Sequence, residues 1–322
     1  MDRDRIVKRN VLVFHLGALG DFVLTWPLAL TLGRLYPQSR VFYVTHRSKG
    51  RLAEKALRIE SADIEGGWHS LFAENAALPA PADKLLSSAH TVISFLSNGK
   101  DAWARNIQRI APDATFVHLQ PPTLAVPPVG EHATEFITQQ LTPWTAIQTA
   151  VRQIQRSIAD RGIGTRVPED GDVVIHPGSG AAFKCWPVDR FIELAHRLIA
   201  QGRRVKFIIG EVEAERWSTE TLNQLRAVGG LEQPADPVAL WKIIGSASLF
   251  IGNDSGPAHL AGMAGIPTVV LFGPTTPEIW KPLGPKVSAI WNESMEGIAV
   301  DQVVAAIDSY SSPTMSPPIF PT

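Results

Sequence analysis

The sequence predicts an α/β protein made of two doubly wound domains that face each other across a ligand crevice. Short runs of β-branched and aromatic residues alternate with amphipathic segments, which is typical of parallel strands joined by helices. This alternation restarts after a segment rich in glycine, proline and charge. The chain has 322 residues, 45% of them hydrophobic, which is enough for one large domain or two ordinary ones.

The first half opens with a predicted strand at 11–14, which is followed by Gly17 and Gly20. A helix over 21–36 is predicted next, because its apolar residues recur at three- and four-residue steps. Pro27 predicts a kink or a late start in this helix. Further elements are predicted as strands at 41–44 and 92–96 and as helices at 133–141 and 144–158.

The second half repeats the same alternation. Its strands are predicted at 173–175, 205–209, 249–251 and 268–272, and its helices at 188–201, 239–244 and 255–264. These bounds predict domains at 1–160 and 173–310, joined by a linker at 161–172 that has no apolar period. The Ser/Pro-rich tail at 311–322 is expected to be disordered.

Charge and cysteine content exclude several classes of protein. Thirty Lys and Arg against 31 Asp and Glu give a net charge of -1, so no nucleic-acid partner is expected. The single cysteine, Cys185, excludes an intramolecular disulfide and a Cys-only zinc site, and no cofactor is predicted. The apolar runs at 11–14 and 266–272 are too short for a signal peptide and a membrane span, so a cytoplasmic protein is expected.

Polar residues and glycines cluster where four predicted strands end, which is where open α/β sheets bind ligands. At the first junction, Gly17 and Gly20 let a ligand approach the backbone, and Asp21 either points into the crevice or caps the following helix. The spacing matches neither G-x-G-x-x-G nor a P-loop, so neither NAD nor P-loop ATP chemistry is supported.

The second junction runs from His176 to Pro187. Its glycines, with Ser179 and Lys184, can offer N–H donors and a cation to a phosphate, although a lysine on a surface turn is the ordinary alternative. His176 is as compatible with a structural role as with a functional one.

The third junction holds three glutamates, Glu211, Glu213 and Glu215. A carboxylate at this point often accepts hydrogen bonds from ribose hydroxyls. Acidic residues in a first helical turn are also favoured simply by the helix dipole, and both interpretations stay open.

The fourth junction, 252–259, joins a strand to a helix whose first-turn N–H groups suit a diphosphate. Ser255 adds a hydroxyl, Gly256 permits close approach, and His259 lies on the same helical face as Ser255. Asp254 is a competent N-cap whatever the function.

In this order the junctions resemble glycosyltransferase family 9, typified by the ADP-heptose:lipopolysaccharide heptosyltransferases. Each motif alone is weak, but four in the correct order and spacing are specific, and the match extends to about Asp308. The motifs are Gly20-Asp21 with Thr25-Trp26-Pro27, His176-Pro177-Gly178-Ser179 with Lys184-x-Trp186-Pro187, Asp254-Ser255-Gly256-x-x-His259-Leu260-Ala261, and Phe272-Gly273-Pro274-Thr275-x-Pro277.

The resemblance implies a GT-B fold, with two Rossmann-like domains that bind the acceptor on the N-terminal side and the nucleotide-sugar on the C-terminal side. It implies that Asp21 is the catalytic base of an inverting reaction, and that no metal is needed because Lys184 and a helix N-terminus stabilise the leaving diphosphate. The donor-site residues implied by position are Ser179, Lys184, Glu213, Asp254, Ser255, Gly256 and His259.

The expected reaction is transfer of a heptose from ADP-heptose to a lipopolysaccharide core or a related glycan acceptor. Two alternatives stay open. One is a GT-B-like sugar-nucleotide epimerase, which would turn over the donor alone, and the other is a non-catalytic nucleotide-sugar-binding member of the family.

The two halves of the chain differ in charge. Residues 1–110 hold 15 Lys and Arg against 10 Asp and Glu, whereas the remainder holds 15 against 21. A basic face on the acceptor side would capture an anionic lipid-linked saccharide and favour peripheral association with the inner face of the inner membrane. A solvated surface helix is the alternative. The residues assigned to the acceptor side are Gly20, Arg47, Lys49 and Arg51, and the basic cluster also includes Lys55 and Arg58.

Overall fold

The computed structural model describes residues 10–123, 130–164 and 167–310. It contains a five-stranded sheet in the first half and a six-stranded sheet in the second, and every strand pairing in both sheets is parallel. The predicted α/β class with two doubly wound sheets is therefore confirmed. The Pro-rich segment at 124–129 and the tail at 311–322 lie outside the described residues.

The first sheet has the order β3-β2-β1-β4-β5. Its strands are β1 (Asn10–Phe14), β2 (Arg40–Thr45), β3 (Glu60–Asp63), β4 (Ala89–Ser94) and β5 (Thr115–His118). The helices of this half are α1 (Leu19–Leu24), α2 (Trp26–Leu35), α3 (Arg47–Leu57), α4 (Ala80–Ser87), α5 (Ala102–Ile110), α6 (Ala133–Gln139) and α7 (Thr145–Arg161), with a 3-10 helix at Trp68–Phe72. Every residue of β1 is buried, as expected for a central parallel strand that is covered on both faces.

The second sheet has the order β11-β10-β9-β6-β7-β8. Its strands are β6 (Asp172–His176), β7 (Val205–Ile208), β8 (Leu231–Glu232), β9 (Ala247–Asn253), β10 (Thr268–Phe272) and β11 (Val287–Trp291). Its helices are α8 (Val188–Ala200), α9 (Glu211–Arg216), α10 (Thr219–Gly229), α11 (Pro237–Gly245), α12 (Gly256–Ala264), α13 (Pro277–Trp280) and α14 (Val300–Asp308), with 3-10 helices at Ala182–Lys184 and Met295–Gly297.

The helix predicted over 21–36 is divided at Thr25 into α1 and α2. The Thr25 hydroxyl donates to the Phe22 carbonyl oxygen at 2.7 Å and lies 2.8 Å from the Tyr43 hydroxyl, which holds the break in place. Pro27 stands in the first turn of α2, where its missing N–H is not needed. Pro27 predicted a kink or a late start, and the structure shows a break at Thr25, with the second helix starting one residue before Pro27.

One hydrophobic core extends through both halves of the chain. The Trp26 ring of α2 meets the Trp241 ring of α11 edge-on, with centroids 6.0 Å apart. Just beyond α7, the Ile163 N–H donates to the Met263 carbonyl oxygen of α12 at 2.8 Å. Residues 165 and 166 of the predicted linker lie outside the described part of the chain, and the predicted domain boundaries stay a prediction.

Helix α1 also packs directly on the N-terminus of α12. A Cβ added at Gly256 would lie 2.9 Å from Leu19 Cβ, and one added at Gly20 would lie 3.4 Å from His259 Cδ2. Glycine at position 256 therefore lets the two halves approach closely at the carboxyl ends of their strands, whereas a Cβ at position 20 would make an ordinary van der Waals contact. Among the described residues, no helix is long and apolar enough to cross a membrane.

The shared core predicts that the two halves unfold together. Trp26→Ala should lower the free energy of unfolding by about 3–5 kcal/mol, because Trp26 is fully buried and the substitution leaves a cavity. Urea unfolding followed by circular dichroism measures this change, with a single transition expected. Leu35→Ala, at the exposed end of the same helix, is the control and should cost less than about 1 kcal/mol. Two separate transitions in the wild-type protein would contradict a shared core.

Candidate active site

A cavity of about 590 Å³ lies between the two sheets and receives residues from both halves. Asp21 lines it from the first half, and Lys184 lines it from the second. The remaining predicted site residues on its wall are Gly20, Ser179, Glu213, Asp254, Ser255, Gly256 and His259. Residues that are distant in the sequence thus share one space, because each follows the carboxyl end of a strand.

Asp21 is the third residue of α1, and the N-cap position of this helix is Ala18. Its carboxyl group is half-buried, and this burial raises its pKa above the ordinary value. The Ala18 backbone, Lys184 and Lys49 lower the pKa in part, whereas Asp254 raises it further. The resulting carboxylate is more basic than that of a free aspartate, which suits a general base.

Lys184 and Asp254 form a buried ion pair at the floor of the cavity. Lys184 Nζ lies 2.8 Å from Asp254 Oδ2, and the two side chains are only 13% and 5% exposed. The Thr275 hydroxyl donates to the same carboxylate at 2.9 Å, and the Ser179 hydroxyl donates to the Asp254 carbonyl oxygen at 2.9 Å. The Asp254 carboxylate is therefore held away from the start of α12, and the N-cap role considered for it from the sequence is not the one observed.

The N-cap of α12 is Ser255, and its side chain makes no capping hydrogen bond. Instead, its hydroxyl lies 3.3 Å from His176 Nδ1. The first turn of α12 therefore presents its backbone N–H groups and positive dipole end to the cavity without a side-chain cap from Ser255. This arrangement suits an anion such as a diphosphate.

His259 lies one turn inside α12 and is buried. Its Nε2 is 4.0 Å from Asp254 Oδ1, and its Nδ1 has no hydrogen-bond partner. Burial lowers the pKa of His259 to about 4, although Asp254 partly opposes this change. The imidazole is therefore neutral near pH 7, and the residue lines the cavity although its Nδ1 is buried.

Glu213 is buried and has two roles in the structure. Its Oε2 accepts a hydrogen bond from the Gly210 N–H at 2.8 Å, and this capping-box bond closes the first turn of α9. Its carboxylate also packs on Gly178, where an added Cβ would lie 2.1 Å from Oε1. Of the other two glutamates, Glu211 also lines the cavity, whereas Glu215 is exposed and does not.

Asn253 organises the site, although sequence reasoning assigned it no role. Its Nδ2 donates to the carbonyl oxygens of Pro177 and Gly178 at 2.8 and 3.2 Å, and its Oδ1 accepts from the Trp186 N–H at 3.0 Å. One buried amide thus joins the loop that carries Lys184 to the end of β9. No local motif marks such a residue, because its partners are backbone groups elsewhere in the chain.

The basic residues of α3 do not line the cavity. Arg47 and Arg51 are exposed, and Arg51 Nη1 lies 3.6 Å from Asp236 Oδ2 in the second half. Lys49 is only 9% exposed and donates to the Leu16 and Gly17 carbonyl oxygens. Lys49 is therefore not part of an exposed basic face.

Among the described residues, no group of three or more His, Cys, Asp or Glu could hold a metal ion.

Residues 126–304 match the family model of glycosyltransferase family 9 (heptosyltransferase). The chain belongs to this family. The resemblance drawn from the four motifs is thereby confirmed.

Two relatives are lipopolysaccharide heptosyltransferase 3 proteins. One, from Escherichia coli K12, is 26% identical over 193 residues, and the match spans 59% of this chain and about half (53%) of the relative. The other, from Escherichia coli, is 24% identical over 310 residues, which are 84% of this chain and 86% of the relative.

Solved structures of similar fold include a family 9 glycosyltransferase from Veillonella parvula, with a TM-score of 0.69, 19% identity and coverage of 94% and 97% of the two chains. The Escherichia coli ADP-heptose heptosyltransferase II has a TM-score of 0.62, 16% identity and coverage of 93% and 98%. The iron-containing glycosyltransferase TibC from enterotoxigenic E. coli has a TM-score of 0.56, 16% identity and coverage of 94% and 76%. The predicted GT-B fold is confirmed.

The buried histidines predict loss of stability in mild acid. Burial lowers the pKa of His176 and His259 to about 4 and that of His15 to about 3, from 6.5. The unfolded chain therefore binds protons that the folded chain does not. The contribution of these histidines to the free energy of unfolding is fully present above about pH 6.5 and is lost as the pH drops toward 4. Each histidine should cost about 1 kcal/mol by pH 5.5.

Urea unfolding at several pH values measures this slope. His259→Gln should flatten it, whereas His69→Gln, an exposed control, should leave it unchanged. An unaltered slope in His259→Gln would show that His259 is not held neutral in the folded protein.

Proposed function

We propose that the protein is an inverting glycosyltransferase that transfers a heptose from ADP-heptose to a lipopolysaccharide core or a related anionic glycan. One observation carries the proposal: a single cavity is lined by a carboxylate of raised pKa, Asp21, by a cation, Lys184, and by the N-terminus of α12. A displacement at an anomeric carbon needs these groups on opposite sides of the reacting bond. Membership of family 9 supports the same reaction class.

Asp21 is the proposed general base. The carboxylate takes the proton of an acceptor hydroxyl as that oxygen attacks the anomeric carbon of the donor. The bond from the anomeric carbon to the diphosphate oxygen breaks at the same time, and ADP leaves with the electron pair. Because attack and departure occur on opposite faces, the product has inverted configuration.

Lys184 and α12 are the proposed anion site for the departing diphosphate. The ammonium of Lys184 and the first-turn N–H groups of α12 lie on the same wall and stabilise negative charge as it develops. Together they can supply this stabilisation without a divalent cation. His259 and Ser255 line the same cavity beside them.

Glu213 is the proposed ribose-binding residue. Among the described residues, one of its carboxylate oxygens, Oε2, accepts a hydrogen bond, and the Gly210 N–H donates it. The carboxylate can therefore accept from a sugar hydroxyl at the cavity wall. ADP-heptose is the proposed donor because two relatives are named lipopolysaccharide heptosyltransferases and one structural neighbour is named for ADP-heptose.

The acceptor is proposed to enter on the side of α1 and α3. Arg47 and Arg51 are exposed there and can attract an anionic saccharide, an effect that salt weakens. Gly20 lines the cavity at the start of α1, beside His259. Association with an anionic membrane surface belongs to the same proposal, and vesicle sedimentation at low and high salt tests it.

Asp21→Asn should lower turnover by about 10²- to 10⁴-fold, because the amide cannot accept the proton. Affinity for ADP should stay within a few-fold of the wild type, since the anion site is intact. The measurement is ADP release from ADP-heptose with core acceptors, in parallel with calorimetric titration of ADP. Asp83→Asn, an exposed aspartate of the same half, is the matched control.

Wild-type turnover in Asp21→Asn would remove Asp21 from the mechanism. The same assay without acceptor separates the alternatives, because an epimerase converts donor alone and a non-catalytic member binds donor without converting it.

Lys184→Met should weaken ADP binding by about 10- to 100-fold, because a charge-assisted contact to the diphosphate is lost. Lys242→Met, an exposed lysine of the same half, should bind ADP as the wild type does. Calorimetric titration in the presence and absence of EDTA measures both variants and tests metal dependence. Unchanged affinity in Lys184→Met would place the diphosphate elsewhere, and loss of wild-type binding in EDTA would require a metal.

A further inference from the structure

Lys49 is a lysine of α3 that the proposed reaction does not use. It is 9% exposed and does not line the cavity. Its Nζ donates to the carbonyl oxygens of Leu16, at 3.3 Å, and of Gly17. These two residues belong to the loop between β1 and α1, four and five positions before Asp21. A buried cation therefore ties the base-carrying loop to the neighbouring helix.

The depth of Lys49 is set by the packing of α3 on the edge strand β3. Next to the lysine, a Cβ added at Gly50 would lie 2.6 Å from Ser61 Oγ, so only glycine lets α3 approach β3 this closely. The Ser61 hydroxyl in turn donates to Glu54 Oε1 at 2.7 Å, one turn further along α3. With α3 held at this depth, the Lys49 side chain reaches across the carboxyl end of the sheet to the loop after β1.

Asp21 is faced by charged groups from three other elements. Lys49 acts on it from α3, Lys184 from the 3-10 helix and Asp254 from the end of β9. The two lysines favour the carboxylate form, whereas Asp254 opposes it. Of the two lysines, Lys184 is already paired with Asp254 at 2.8 Å. Within the described part of the chain, Asp21 is the carboxylate that acts on Lys49.

Two imidazoles complete the surroundings of Asp21. A Cβ added at Gly17 would lie 2.8 Å from His15 Cε1 and 3.1 Å from Asp21 Cβ, so His15 and Asp21 flank this glycine. His259 lies beside Gly20. Burial keeps both imidazoles neutral near pH 7, because it lowers their pKa values to about 3 and about 4. Neither contributes positive charge.

We propose that Lys49 is a positioning residue for the Asp21 base: it fixes the loop that carries Asp21 and supplies a buried positive charge beside the carboxylate. The inference rests on the proposed function, in which Asp21 accepts a proton. The positive charge offsets part of the cost of burying the carboxylate, so the base stays ionised at a lower pH than burial alone would allow. Lys49 thus acts on the reaction through Asp21, without touching substrate.

The test is a carboxyl ¹³C NMR titration of Asp21, with its resonance assigned by its absence in Asp21→Asn. Lys49→Met should raise the pKa of Asp21, whereas Lys49→Arg, which keeps the charge, should leave it close to the wild-type value. Lys55→Met removes an exposed lysine of the same helix and should change nothing. An Asp21 pKa that is the same in Lys49→Met and wild type would overturn the proposal.

Kinetics give a second readout. Lys49→Met should lower kcat/KM about three- to tenfold more on the acid side of the pH profile than at alkaline pH, where only the loss caused by releasing the loop remains. A loss of equal size at every pH would indicate a purely structural role and overturn the electrostatic claim.

If Lys49→Met does not fold, the reciprocal measurement decides. In Asp21→Asn the pKa of Lys49, read from its ¹³Cε resonance, should fall because the facing carboxylate is gone. An unchanged Lys49 pKa would overturn the proposal. The NMR titrations do not depend on turnover, so the two proposals can fail separately. Unchanged pKa values would overturn the role of Lys49 while Asp21 remains the base. Wild-type turnover in Asp21→Asn would remove Asp21 from the mechanism while the two charges still interact.

Discussion

The contact of α1 with the N-terminus of α12 is the constraint on which the site depends. Leu19 packs on Gly256, where a Cβ would separate the two helices, and Gly20 lies beside His259. One helix carries Asp21 and the other presents its backbone N–H groups to the cavity. Their approach brings Asp21 of the first half and the first turn of α12 of the second half into one cavity, as the proposed base and anion site require.

The charges around this contact form a connected set rather than isolated pairs. Lys184 is held at the cavity wall by Asp254, and Asp254 is held in turn by the Thr275 hydroxyl. Asp21 is half-buried between Lys184 and Lys49. Exposed ion pairs such as Arg40 with Glu60 contribute little by comparison, because water screens them.

The sequence patterns predicted the parts of the fold that are buried on both faces. The strands β1, β6, β9 and β10 are apolar runs in the sheet interior, and their positions were predicted within a few residues. The edge strands β3, β5, β8 and β11 were not predicted. They are short or partly polar, because an edge strand need not be buried, and apolar periodicity therefore does not reveal them.

The sequence predicted which residues line the candidate site, but not the hydrogen bonds that hold them in place. Strand-end junctions gather at one edge of a parallel sheet, so Asp21 and Lys184 could be grouped from the sequence. The inward direction of Lys49 and the bridging role of Asn253 could not, since both depend on backbone oxygens of distant loops. The sequence does not distinguish the basic residues of α3 from one another, but packing leaves the arginines exposed and buries Lys49.

A crystal structure of the protein soaked with ADP tests the central claim most directly, which is that the two halves build one site for acceptor activation and diphosphate departure. We expect the diphosphate between Lys184 and the first turn of α12, the ribose beside Glu213, and the Asp21 carboxylate facing the β-phosphate. A diphosphate bound away from α12, or a bound nucleotide with Asp21 turned out of the shared cavity, would contradict it.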